Sequence, residues 1–84
     1  MITLTRFVKL DKENVKAVAD IIINGGIKIH GIFLFTNNKQ EYFIKFPEDK
    51  KTIEGIDKYY PIIEVDDIIL KGEIYKAILA EYQR

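Results

Sequence analysis

Lys50 and Lys51 are the only adjacent basic residues in this chain of 84. Neighbouring ammonium groups suit phosphate contact, which positions a nucleic-acid backbone without reading its bases. Thr52 follows directly and offers a hydroxyl as a lesser hydrogen-bond donor. Glu48 and Asp49 precede the pair and add negative charge beside it. The plain alternative is a solvated charged loop anchored by Pro47. Tyr59 and Tyr60 could stack bases, or they could pack beside Pro61 as aromatics of small domains commonly do.

No other grouping supports chemistry as well. His30 is the sole histidine and there is no cysteine, so a metal site would have to be completed by carboxylates alone. As a general base His30 lacks a neighbouring Ser or Asp in a workable arrangement. A hydrogen-bonded histidine at a sheet surface is the expectation. Asp66 and Asp67 are sequence neighbours, which do not share a helix face, so they read as helix-capping residues rather than a catalytic pair. Gly25-Gly26 is followed by no phosphate-loop or dinucleotide pattern. The chain is therefore expected not to be an enzyme, and to use no cofactor, metal or small-molecule substrate.

These residues need a scaffold, and composition bounds it. Hydrophobic residues make up 48% and charged residues 31%, with 13 basic and 13 acidic side chains cancelling to zero. Sixteen isoleucines and ten aromatics offer ample surface to bury, which predicts one ordered domain over residues 1–84. A chain this short buries only roughly 60–65% of its extended surface, so a partner subunit would help it. No apolar run approaches the ~18 residues of a membrane span. Met1 opens straight into an alternating segment, which predicts a cytoplasmic protein. Charge is uneven along the chain. Residues 1–46 sum to +3, residues 47–67 to −4, and residues 68–84 to +1. A polyanion site must then be a local patch held away from the acidic middle.

Period-two alternation predicts strands over residues 2–10, 15–23, 27–35 and 41–46. Their connections are Asp11–Asn14, the tight-turn signal Asn24-Gly25-Gly26, and Thr36–Gln40. Strict alternation points Ile2, Leu4, Val8 and Leu10 one way in the first strand, opposite Phe7. It divides the third strand into Ile27, Ile29, Phe33 and Phe35 against Ile32 and Leu34. The second strand carries Val15, Ala17, Ala19, Ile21 and Ile23 on one side, with Val18 and Ile22 on the other. From Asp66 or Asp67 a helical period takes over, with Leu70, Ile74, Ala77, Ile78 and Tyr82 as its apolar stripe. Gly72 implies either that the helix starts there or that backbone approaches it closely. Residues 47–65 show the least regular pattern. The expected fold is α+β: a four-stranded antiparallel meander with a C-terminal helix. One helix covers one face of such a sheet. The second face, with Val18, Ile22, Ile32 and Leu34, is expected to form a homodimer interface.

The linear order of these residues resembles the stage V sporulation protein G family of bacterial septation and sporulation regulators, over nearly the whole chain. The most specific stretch is Gly72–Tyr82, where Gly72, Ile74, Ala77, Leu79, Glu81 and Tyr82 match the family's residue types. Ala17, Ile21, Gly25 and His30 match its second hairpin. Pro47 with Lys50-Lys51-Thr52 resembles its Met-Pro-Ser followed by two bases and Thr, and Asp57 and Pro61 keep a shared spacing. The chain departs from the family at Gly31 and Phe33, where an acid and a base usually stand, and at Glu48-Asp49, where a serine does. The loop after Thr52 is shorter and the acidic tail of many members is absent. The resemblance implies a dimeric, cytoplasmic regulator that binds DNA or RNA, with Lys50, Lys51 and Thr52 at the phosphates. The alternative is a protein-interaction module without a nucleic-acid role.

Overall fold

The computed structural model describes all residues, Met1–Arg84. Its elements run β1 (Ile2–Lys9), β2 (Val15–Ile23), β3 (Ile27–Thr36), β4 (Tyr42–Lys45), β5 (Glu48–Ile53), β6 (Ile56–Pro61) and α1 (Ile68–Tyr82). The fold is α+β. Strands β1 to β4 form one antiparallel sheet in sequence order, β5 and β6 form a separate two-stranded sheet, and α1 covers one face of the first.

Isoleucine dominates the core between sheet and helix. Ile21, Ile29, Ile32 and Leu34 from the sheet meet Ile74 and Ile78 from the helix, all of them buried. Ala17 and Ala19 on β2 are also fully buried. Leu70, Leu79 and Tyr82 are half-buried against the same cluster, so the apolar stripe of α1 is placed as its spacing predicts. Asp67 is the N-cap, its carboxylate accepting from the Ile69 and Leu70 amides at 2.9 and 3.2 Å. Those amides have no intrahelical partner, so the cap satisfies donors that would otherwise face solvent. Gly72 neither starts the helix nor meets close backbone: a Cβ there would touch nothing within 4 Å.

The register shifts at three places. The shifts at Leu4/Arg6 and Ala19/Ile21 change which residues are buried, and the one between Val15 and Ala17 sets Val15 opposite Phe35, off the face that carries Ala17, Ala19, Ile21 and Ile23. Between Leu4 and Arg6 the β1–β2 register shifts, which turns Phe7 toward the core and Val8 away from it. Between Ala19 and Ile21 the β2–β3 register shifts again, with His30 and Gly31 both facing Asp20. A bulge residue inserts one position into a pattern of period two, so every later side chain changes face. Gly31 takes φ +78°, a left-handed conformation that glycine adopts without steric cost. Ile32 and Leu34 consequently join Ile29 in the protein's own core and are not on the second face. The open face instead carries Val8, Val18, Ile22, Phe33, Phe35 and Phe43.

Residues 47–65 also differ from expectation. The stretch Glu48–Lys51 is not a loop but the first strand of a hairpin, paired with β6 from Glu48↔Pro61 to Ile53↔Ile56. Its two-residue turn has Glu54 at φ +54° and Gly55 at φ +79°, the paired positive values of a primed hairpin turn. Every residue of both strands is exposed, so no buried face marks either one in the sequence. No helix is long and apolar enough to cross a membrane.

Candidate nucleic-acid interface

The β5–β6 hairpin carries all three residues expected at phosphates, but it does not present them together. Successive residues of a strand point to opposite faces. Lys50 therefore shares a face with Thr52, Asp57 and Tyr59, while Lys51 shares the other with Lys58 and Tyr60. On the first face Asp57 takes up both candidates. It lies 3.3 Å from the Lys50 ammonium and accepts the Thr52 hydroxyl at 2.7 Å.

The second face is different in charge. Lys51 and Lys58 stand directly opposite each other across the two strands, and the Lys51 ammonium lies 5.8 Å from the centre of the Tyr60 ring. Like charges in direct cross-strand opposition disfavour the pairing that holds them. An anion between them reverses that sign. The acidic residues of the hairpin are mostly diverted: Asp57 is on the opposite face, and Glu48 pairs with Lys45 at 2.8 Å. Asp49 is the one acid sharing a face with Lys51 and Lys58. Tyr60 is one of the two tyrosines expected near bases, whereas nothing in the sequence marks Lys58, because only the turn at Glu54–Gly55 brings it to Lys51.

Tyr59 and Tyr60 are both exposed and neither belongs to the core cluster. Tyr59 leans back toward the main sheet, where the Lys45 ammonium lies 5.8 Å from its ring centre and 5.9 Å from that of Phe35. This contact and the Lys45–Glu48 ion pair tie the hairpin to the sheet, and the Ile62 amide donating to the Pro47 carbonyl at 3.2 Å closes the hairpin's base.

At the centre of the open sheet face, Asp20 is the only buried charged residue, 8% exposed. It accepts the Gly31 amide at 2.9 Å and the Arg6 Nε–H at 3.0 Å, with His30 Nδ1 at 3.2 Å. These contacts hold its carboxyl below the ordinary aspartate range, the Gly31 amide contributing most, against the opposing effect of burial. His30 is thus a hydrogen-bonded histidine at the sheet surface. Its other ring nitrogen and the outer nitrogens of Arg6 remain available to solvent side partners, since both side chains are more than half exposed. Scanning protein-family models and searching curated proteins each return no match for the chain.

Proposed function

We propose that the protein is a dimeric, cytoplasmic nucleic-acid-binding regulator of bacterial sporulation or septation, and that it binds without catalysis. The observation that carries this reading is the Lys51–Lys58 cross-strand pair beside Tyr60 on a projecting hairpin. Two ammonium groups there meet a phosphate while the tyrosine ring flanks it. The resemblance to the stage V sporulation protein G family supplies the regulatory setting, and Lys51 is shared between the two lines of reasoning. Lys50 and Thr52 contribute once Asp57 releases them.

Self-association fits the free edge of β4 and the first turn of α1 better than the open sheet face. Ile68 and Ile69 stand 85% and 75% exposed there, and Ile68 lines an apolar groove with Tyr42, Ile44, Gly72 and Tyr75. A second copy meeting the first across this edge makes a self-complementary, two-fold contact, the commonest kind. Sedimentation of wild type as a dimer, and of Ile68→Lys as a monomer, is the expected result.

Nucleic-acid binding is tested by fluorescence anisotropy with labelled duplex DNA and RNA across a salt series. Lys51 and Lys58 from two protomers offer up to four phosphate contacts. At about −0.9 per contact the log–log salt slope on duplex DNA is roughly −3 to −4. Lys51→Ala/Lys58→Ala, with folding checked by circular dichroism, should flatten the slope and weaken binding. Failure of wild type to bind either polymer at low salt removes this reading in favour of a protein-interaction module.

A further inference from the structure

We infer that the tip of the β5–β6 hairpin is an apolar wedge that enters a base step of duplex DNA from the minor groove and bends the duplex. This rests on the nucleic-acid reading above and adds to it the form of polymer and what the protein does to it.

Two isoleucines make the tip. Ile53 and Ile56 stand directly opposite each other where the strands meet the Glu54–Gly55 turn. They are 52% and 60% exposed and belong neither to the core nor to the apolar residues packed against it. Their cross-strand contact steadies the ribbon, and their outer surfaces have no partner. The rest of both strands is exposed as well, so the ribbon is bare on both faces and free to enter a groove.

Charge stands behind the wedge on the same face. Lys51 and Lys58 lie two residues back from Ile53 and Ile56. No carboxylate holds either ammonium, the one ion pair within the hairpin being Lys50–Asp57 on the other face. Two residues of strand span about 7 Å, close to the roughly 7.5 Å depth of the minor groove. With the isoleucines at the groove floor, both ammonium groups stand at its rim, level with the phosphates. Glu54 in the turn and Asp49 farther back are the acids near this surface, and they oppose the approach.

Size and chemistry select the occupant. A duplex is anionic outside and apolar between its stacked bases, which complements free cations behind an aliphatic tip. A single strand offers no stack to part, and isoleucine has no ring face on which its bases could lie. A second copy of the chain would gain little, because two tip residues cover a small part of the roughly 800 Å2 that each partner buries in a stable protein contact. A bilayer would have to take in the Glu54 carboxylate along with two isoleucines, which is unfavourable. At a base step only the side chains enter the stack, and the turn stays in the hydrated groove.

The test uses a duplex of about 30 base pairs, labelled at both ends so that energy transfer reports bending while anisotropy reports affinity. A second duplex carries one mismatch, where unstacking is least opposed. Wild type should bend the duplex by roughly 20–90° and prefer the mismatched one by about tenfold or more. Ile53→Thr/Ile56→Thr keeps β-branched residues beside the turn, and circular dichroism checks that it folds. It should lose the bend and the mismatch preference yet retain the log–log salt slope, because Lys51 and Lys58 remain. Ile53→Phe/Ile56→Phe should keep both bend and preference. Glu54→Gln should tighten binding to both duplexes, and unchanged affinity there would place the tip outside the groove. If the threonine variant bends DNA as wild type does, or wild type binds without bending, the wedge is wrong, while a salt slope lost in Lys51→Ala/Lys58→Ala still upholds the hairpin site. If the threonine variant instead loses binding to phosphatidylserine vesicles, or changes the sedimentation of the free protein, with bending unaltered, the tip serves a bilayer or a second copy and the inference is overturned. If wild type binds no nucleic acid at all, both the wedge and the parent reading fall.

Discussion

Gly31 donates its backbone amide to the Asp20 carboxylate at 2.9 Å, across the bulge between β2 and β3. The bulge takes Gly31 out of the regular ladder and leaves its N–H in need of an acceptor. Asp20, nearly buried, needs donors to offset its own desolvation. Each residue satisfies the other, and the pair sets which side of β3 faces the helix. A Cβ at position 31 would meet nothing within 4 Å, so the cost of Gly31→Ala comes from its φ of +78° alone. That conformation costs an L-residue about 1–2 kcal/mol. Urea unfolding should register a loss of this size. A loss below a few tenths of a kcal/mol would show that the bulge relaxes without strain.

The same contact makes stability depend on acid. The Asp20 carboxyl titrates below its ordinary value of 3.8 in the folded protein. A depressed acid binds its proton more weakly when folded than when unfolded, so its contribution is complete above the unfolded value. It fades as pH falls through the folded one. Asp20→Asn keeps an oxygen for the Gly31 amide but does not titrate. The stability gap between wild type and Asp20→Asn should hold steady from about pH 5 upward and narrow below about pH 4. Denaturant midpoints at several pH values measure it, and a gap independent of pH would contradict the shift.

Burial on β3 is open to direct test. Ile32 and Ile74 are both fully buried in the shared core, and truncating either to alanine should cost about 2–5 kcal/mol. For a domain of this size that is a large part of the total. Val18→Ala, on the open face, should cost much less. An Ile32→Ala variant as stable as Val18→Ala would return Ile32 to the second face.

Asp67 caps α1 with two amides, and Asp67→Ala should cost about 1 kcal/mol. In a domain of this length that lowers Tm by roughly 4–8 °C. Asp66→Ala should leave Tm nearly unchanged, because the cap bonds all come from its neighbour.

The two adjacent lysines should behave differently on duplex DNA. Lys51→Ala removes an ammonium that no carboxylate holds and should reduce the salt slope by close to one per bound lysine. Lys50 is paired with Asp57, so Lys50→Ala should alter slope and affinity far less. Equal effects of the two substitutions would show that the hairpin faces do not segregate their charges on binding.

Elements whose pattern is local are legible in the amino-acid sequence. Ala17, Ala19, Ile21 and Ile23 alternate onto one buried face, and Ile74 and Ile78 follow the helical repeat behind the Asp67 cap. These signals survive because each lies within one unbroken strand or helix with a single buried side. Tertiary structure decided the rest. A one-residue bulge at His30–Gly31 reversed the faces of Ile32, Phe33, Leu34 and Phe35, since a period of two has no tolerance for an inserted position. The hairpin at Glu48–Pro61 carries no such signal because neither of its faces is buried. Lys50 and Lys51 adjoin in sequence yet diverge in space, while Lys58 reaches Lys51 only through the turn between them. Strand pairing, not chain proximity, places charges side by side, and the adjacent pair in the sequence is for that reason not the pair that shares a face.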